Sequence, residues 1–107
     1  MTIDFTPTFR RELKRLVKKY PSVLKDITNL GEQVLENPTL GTSLGQNAYK
    51  IRLSITGKST GKSGGGRVIT CFKIENDKVF FMSIFDKSEK STLSDKELTE
   101  LLKEIEA

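Results

Sequence analysis

The residues best suited to chemistry stand between Tyr49 and Arg67, in the stretch YKIRLSITGKSTGKSGGGR. Lys50, Arg52, Lys58, Lys62 and Arg67 fall there, and no acidic residue does. One charge sign on a strand and on the loop after it suits an anionic partner, above all a phosphate backbone. Such cations could bind a phosphodiester or help to break one. Crowded cations lower a lysine's pKa, so a lysine among them can take a proton from a ribose 2′-hydroxyl. Arginines stay charged and can stabilise the dianionic phosphorane that forms when this hydroxyl attacks its own phosphate. That route requires RNA and leaves a cyclic phosphate. Binding without cleavage uses the same residues, and residue types alone favour binding over catalysis.

Composition narrows the alternatives. The chain has no His, which excludes an RNase built on two imidazoles. With Cys71 as the single cysteine, neither a zinc site nor a disulfide framework is expected, and Cys71 reads as a small buried strand residue. The acids do not gather near the basic strand, so metal-dependent hydrolysis is not expected, nor any small-molecule cofactor. The run Gly57-Lys58-Ser59-Thr60-Gly61-Lys62-Ser63 resembles a nucleotide-binding phosphate loop only superficially. Three residues separate its glycines where that motif needs four, and a strand follows instead of a helix.

The net charge is +4 over 107 residues, and its placement says more than its size. From Gln46 to Lys90 there are nine cations against four acids; from Ser91 onward there are two against five. A basic middle and an acidic tail point to one basic working surface. The length suits one domain, residues 1–107, with a single modest core. No apolar run has the length of a membrane span, and MTIDFTPTFRRELK lacks a signal-peptide core. A cytoplasmic protein without a membrane partner is the expectation.

Several elements must position these cations. Tyr49, Ile51, Leu53 and Ile55 alternate with Lys50, Arg52 and Ser54, the pattern of a half-buried strand. Arg67–Ile74 reads as a second strand, with Arg67, Ile69, Cys71 and Lys73 on one face. A tight turn at Asn76-Asp77 leads to Val79–Phe85, apolar on both faces and so a doubly covered strand. Upstream, Thr2–Phe5 is a short extended piece, and Thr6-Pro7 starts a helix with Phe9, Leu13, Leu16, Val17 and Tyr20 in one stripe. Arg10, Arg11, Lys14, Arg15, Lys18 and Lys19 surround that stripe. A solvated helix face accounts for them; so does a sequence-blind contact to RNA phosphates. Pro21 breaks the helix, Ser22 can cap a second one carrying Val23, Ile27, Leu30 and Val34, and Asn37-Pro38 ends it. Thr39–Asn47 reads as a turn-rich loop. Ser94 and Glu97 form a capping box for a short acidic last helix, expected at the sheet edge and movable. The result is an α+β domain of order β-α-α-β-β-β-α, with a helical hairpin on a mainly antiparallel sheet.

Five pieces carry a family resemblance: Phe9-Arg10-Arg11-Glu12-Leu13-Lys14, Lys18-Lys19-Tyr20-Pro21-Ser22, Tyr49-Lys50-Ile51-Arg52-Leu53, Gly61 to Ile69 (GKSGGGRVI) and Asp86-Lys87-Ser88-Glu89. Together they resemble the RelE/ParE superfamily of bacterial type II toxins, nearest its RelE/HigB-like branch, over almost the full length. The resemblance implies a small RelE-like α/β fold that cleaves mRNA in the ribosomal A site, inhibits translation and is neutralised by a cognate antitoxin. It also implies roles. Lys50 and Arg52 match the basic strand pair, one member of which is the general base in RelE. Arg67 matches the arginine that holds the scissile phosphate. Lys87 stands where RelE has an arginine that assists the leaving group; it keeps the charge but not the bidentate fork. No tyrosine lies near Leu93 where RelE has a functional one, and the insertion from Lys58 to Gly66 is absent from RelE proper. Lys58 and Lys62 are therefore candidate substitutes.

Three functions follow for testing. The first is a metal-independent, ribosome-dependent endoribonuclease (an mRNA interferase) whose partners are mRNA, the ribosome with its 16S rRNA, and an antitoxin. Its catalytic candidates are Lys50, Arg52, Arg67 and Lys87; Lys58, Lys62, Arg10, Arg11, Lys14 and Lys18 would bind RNA. The second is a ParE-like toxin that binds a protein such as DNA gyrase without catalysis. The third is an inactive RNA-binding relative.

Overall fold

The structure, a computed structural model, describes residues 1–57 and 65–106. Lys58 and Lys62 lie outside the described residues. A five-stranded sheet runs in the order β1-β5-β4-β3-β2. Its strands are β1 (Thr2–Phe5), β2 (Thr42–Gly45), β3 (Ala48–Leu53), β4 (Gly66–Lys73) and β5 (Lys78–Asp86). Only β1 pairs in parallel, with β5; the other pairings are antiparallel. The helices are α1 (Pro7–Lys19), α2 (Val23–Glu36) and α3 (Asp95–Lys103).

Local chemistry sets the ends of these elements. Thr6 caps α1 by accepting from the Phe9 N–H, and its hydroxyl also reaches the Phe81 and Met82 carbonyls. One residue thus starts the helix and ties it to β5. Pro7 fills the first helical position, where no N–H is needed. Ser94 and Glu97 form the expected reciprocal capping box on α3. Ser22 does not cap α2. Its hydroxyl donates instead to the Thr56 carbonyl, a tertiary bond that local pattern does not reveal.

The alternation in β3 resolves as expected, with Ile51 and Leu53 buried and Arg52 exposed. They join Phe9, Val23, Ile27, Val68, Phe81 and Ile84 in the larger core, between the sheet and the α1–α2 hairpin. β5 lies between β1 and β4 and is buried along most of its length, as its two apolar faces require. Cys71 is buried, and burial raises its thiol pKa.

Three further expectations need correction. Thr39–Asn47 is more than a loop: Thr42–Gly45 pairs with β3 through a turn in which Gln46 and Asn47 both have positive φ, as a type I′ hairpin requires. Its side chains are mostly exposed, so no apolar alternation announced it. β4 ends at Lys73, not Ile74: Ile74–Asn76 forms a 3-10 turn and Asp77 is left-handed, which leaves Ile74 exposed. Finally, α3 does not sit at the sheet edge. Leu98, Leu101 and Leu102 bury themselves on the second face, against Ile69, Cys71, Met82 and Phe85.

Candidate functional site

On that second face, the register of β3 against β4 sets Arg52 directly opposite Arg67. The Phe72 N–H donates to the Asn47 carbonyl at 2.9 Å, which fixes the phase of the ladder. Counting by alternation, Arg52–Arg67 is a non-hydrogen-bonded pair, the closer kind, with Cα atoms about 4.5 Å apart. Lys50 lies two residues along the same face of β3, opposite Ile69. Phe85 of β5 flanks Arg67 on its other side.

Arg67 is only 4% exposed, and its Nη1 donates to the Gly66 carbonyl at 2.9 Å. Its pKa is lowered, first by burial and then by the charge of Arg52. A guanidinium drawn from water and set beside another cation is a site that an anion stabilises.

Lys87 follows β5 and is held to β4 by its backbone, whose N–H donates to the Gly65 carbonyl at 3.0 Å. Asp86 shapes this turn. It is buried, and its Oδ1 accepts from the Ser88 N–H at 2.9 Å and the Ser88 hydroxyl at 2.8 Å. Glu89 then pairs with Arg15 at 3.0 Å and Lys19 at 3.4 Å, linking the turn to α1. The hydrogen bond to Glu89 is the main cause raising the Lys19 pKa. Lys90 forms an ion pair with Glu97 of α3 and lies over the Phe85 ring. Asp86 and Glu89 are residues that sequence reasoning missed in this role. Asp86 bonds to Ser88 only two residues on, a spacing that signals a turn, whereas the Arg15 partner of Glu89 lies 74 residues away and no local spacing signals it.

The structure therefore brings Lys50, Arg52 and Arg67 onto one face, with Lys87 just beyond the end of β5. It does not bring Arg10, Arg11, Lys14 and Lys18 there. They are exposed on α1, which packs its apolar stripe on the opposite face of the sheet. Arg10 donates through Nε to the Phe5 carbonyl at 3.1 Å.

Residues 8–106 match the family described as the RelE toxin of the RelE/RelB toxin–antitoxin system. Among solved structures, the chain is similar to a doubly arginine-to-alanine mutant of E. coli toxin RelE in the free state. That match has a TM-score of 0.62 and 24% identity, and covers 97% of this chain and 96% of the other. It is also similar to a chain of the intact E. coli RelBE toxin–antitoxin complex, at TM-score 0.58 and 25% identity over 79% of this chain and 94% of the other. No curated protein matches.

Proposed function

The chain belongs to the RelE toxin family, and on that premise we propose that it is a ribosome-dependent mRNA endonuclease made of one RelE-like domain, residues 1–107. The observation that carries this reading is the Arg52–Arg67 pair with Lys50 beside it, on adjacent strands of a rigid sheet. Arg67 and Arg52 would grip the scissile phosphate and stabilise the charge that grows on it. Lys50, acting as the neutral amine, is the candidate general base, because an arginine stays charged. The 2′-oxygen loses its proton to Lys50 and bonds to phosphorus. The bond from phosphorus to the 5′-oxygen breaks, leaving a 2′,3′-cyclic phosphate. Lys87 would protonate or screen the departing 5′-oxygen. Arg10, Arg11, Lys14 and Lys18 on α1, and Lys58 and Lys62, would meet rRNA or mRNA phosphates without reading sequence. No metal or small-molecule cofactor enters this route.

A cognate antitoxin is the proposed protein partner, because a matched chain comes from a toxin–antitoxin complex. No helix among the described residues is long and apolar enough to cross a membrane. A cytoplasmic site of action, where ribosomes are, completes the reading.

Induction in a bacterium tests it. Growth should stop, and mRNA 5′ ends should map within codons of translated messages only. Continued translation with halted DNA replication would shift the assignment to a gyrase-type protein target. Growth unaffected by a folded wild-type chain would leave an inactive relative.

A further inference from the structure

A cleft of about 300 Å³ opens at the free edge of β3, lined by Gln33, Leu40, Gly41, Thr42, Lys50 and Arg52. It lies at the lower end of the range for small-molecule sites, about 300–1,000 Å³. Gly41 closes one end: a Cβ there would lie 2.5 Å from the Lys50 carbonyl oxygen, so only glycine lets the chain cross β3 so tightly.

The ladder phase shows what the edge offers. Asn47 bonds to Phe72 of β4, so Tyr49, Ile51 and Leu53 also face β4, while Lys50 and Arg52 aim their backbone groups the other way. β2 serves Lys50 through Thr42, its first residue. Leu40, which would reach Arg52 next, turns its N–H back to the Asn37 carbonyl at 3.0 Å. The backbone N–H and C=O of Arg52 therefore face the cleft, while its side chain lies beside Arg67. Gln33, exposed on α2, brings a side-chain amide to the same space.

We propose that this cleft receives one base of the RNA, next to the phosphate held by Arg52 and Arg67, and that Gln33 selects which base. This rests on the RNA-cleaving reading above and adds a specificity-determining residue to it. One residue of open edge gives one donor and one acceptor, too little for an added strand but suited to the edge of one base. Leu40 supplies an apolar wall, Gln33 a second donor–acceptor pair, and Lys50 and Arg52 the charge that draws a nucleotide in. Single-stranded RNA is read in this way, by splaying out a base and hydrogen-bonding its edge. Arg52 joins the two subsites because its backbone lines one and its guanidinium the other.

The test adds AMP, GMP, CMP and UMP in turn, and inorganic phosphate alone, to the ¹⁵N-labelled full chain. The Arg52 backbone amide and the Gln33 side-chain amide should shift with the nucleotides, to different extents for different bases, and not with phosphate. Gln33→Leu should reduce the spread of affinities by about tenfold, the worth of one hydrogen bond. Identical responses to all four nucleotides, or an unchanged ranking in Gln33→Leu, would overturn the proposal. So would a response only to an antitoxin-derived peptide, which would give the cleft to a protein. Base-dependent shifts from a chain that cuts no RNA would sink the nuclease reading and keep the cleft. Cleavage that depends on Arg67, without such shifts, would do the reverse.

Discussion

The two faces of the sheet are built to different ends. Under the α1–α2 hairpin, Phe9 lies 4.8 Å from Phe5 and 5.5 Å from Phe81, ring centroid to centroid, within a closed apolar cluster. Under α3 the cluster is smaller, and the one short helix leaves the Arg52 end of the sheet open. β4 serves both faces: Val68 is fully buried in the larger core, and its neighbour Arg67 faces Arg52. The lesson concerns rigidity. A cation on a strand whose other face is packed core is held in place before any ligand arrives, so little reorganisation is left for binding or catalysis.

Cutting into the closed face should have the largest effect. Phe9→Ala should lower stability by about 3–5 kcal/mol, measured by urea unfolding, because a fully buried ring leaves a cavity among aromatic neighbours. Activity per folded molecule should hold. Arg67→Ala should do the opposite. Cleavage should fall by roughly 10²–10³-fold, the usual cost of losing a group that stabilises transition-state charge. The urea midpoint should fall less than in Phe9→Ala, since the lost guanidinium takes with it a desolvation cost and the repulsion of Arg52. If Phe9→Ala abolished turnover per folded molecule, or Arg67→Ala unfolded the chain, the division between the faces would fail.

A smaller effect separates the strand cations from those of α1. Replacing Arg10, Arg11, Lys14 and Lys18 together with Gln should weaken ribosome association and flatten its salt dependence, by up to about 3 in the log–log slope. The rate once bound should not change. An equal loss in the bound rate would make α1 part of the reacting site.

Much of this division was legible in the sequence. The alternation from Tyr49 to Ile55 named the core-facing and cation-bearing sides of β3, and Thr6-Pro7 and Ser94 with Glu97 placed two helix starts. The pairing of Arg52 with Arg67 was not legible, because register across an intervening loop depends on how the strands meet, not on either strand alone. The burial of Arg67 was hidden too, since charge leads one to expect exposure. β2 escaped notice because it is held by backbone bonds with exposed side chains. The seat of α3 on the second face follows from apolar residues on β4 and β5 that could equally have met another helix.

The smallest prediction probes how firmly α3 is held. Glu97 accepts from the Ser94 N–H at 3.1 Å and from Lys90, and Lys90 is the leading cause of its lowered pKa. A carboxyl whose pKa is lower in the folded chain contributes stability above its ordinary value and loses it as the pH falls through the folded value. Glu97 is about half exposed, so solvent screening should keep the contribution below about 1 kcal/mol. Protection at Leu98, Leu101 and Leu102, taken as amide exchange relative to the free-peptide rate at each pH, should therefore fall modestly from neutral pH to about pH 3, while Val68 and Val79 stay protected. Glu97→Gln should remove most of the pH dependence at α3 alone. An equal loss of protection in the larger core would mean that acid loosens the whole molecule, and that the two faces do not open separately.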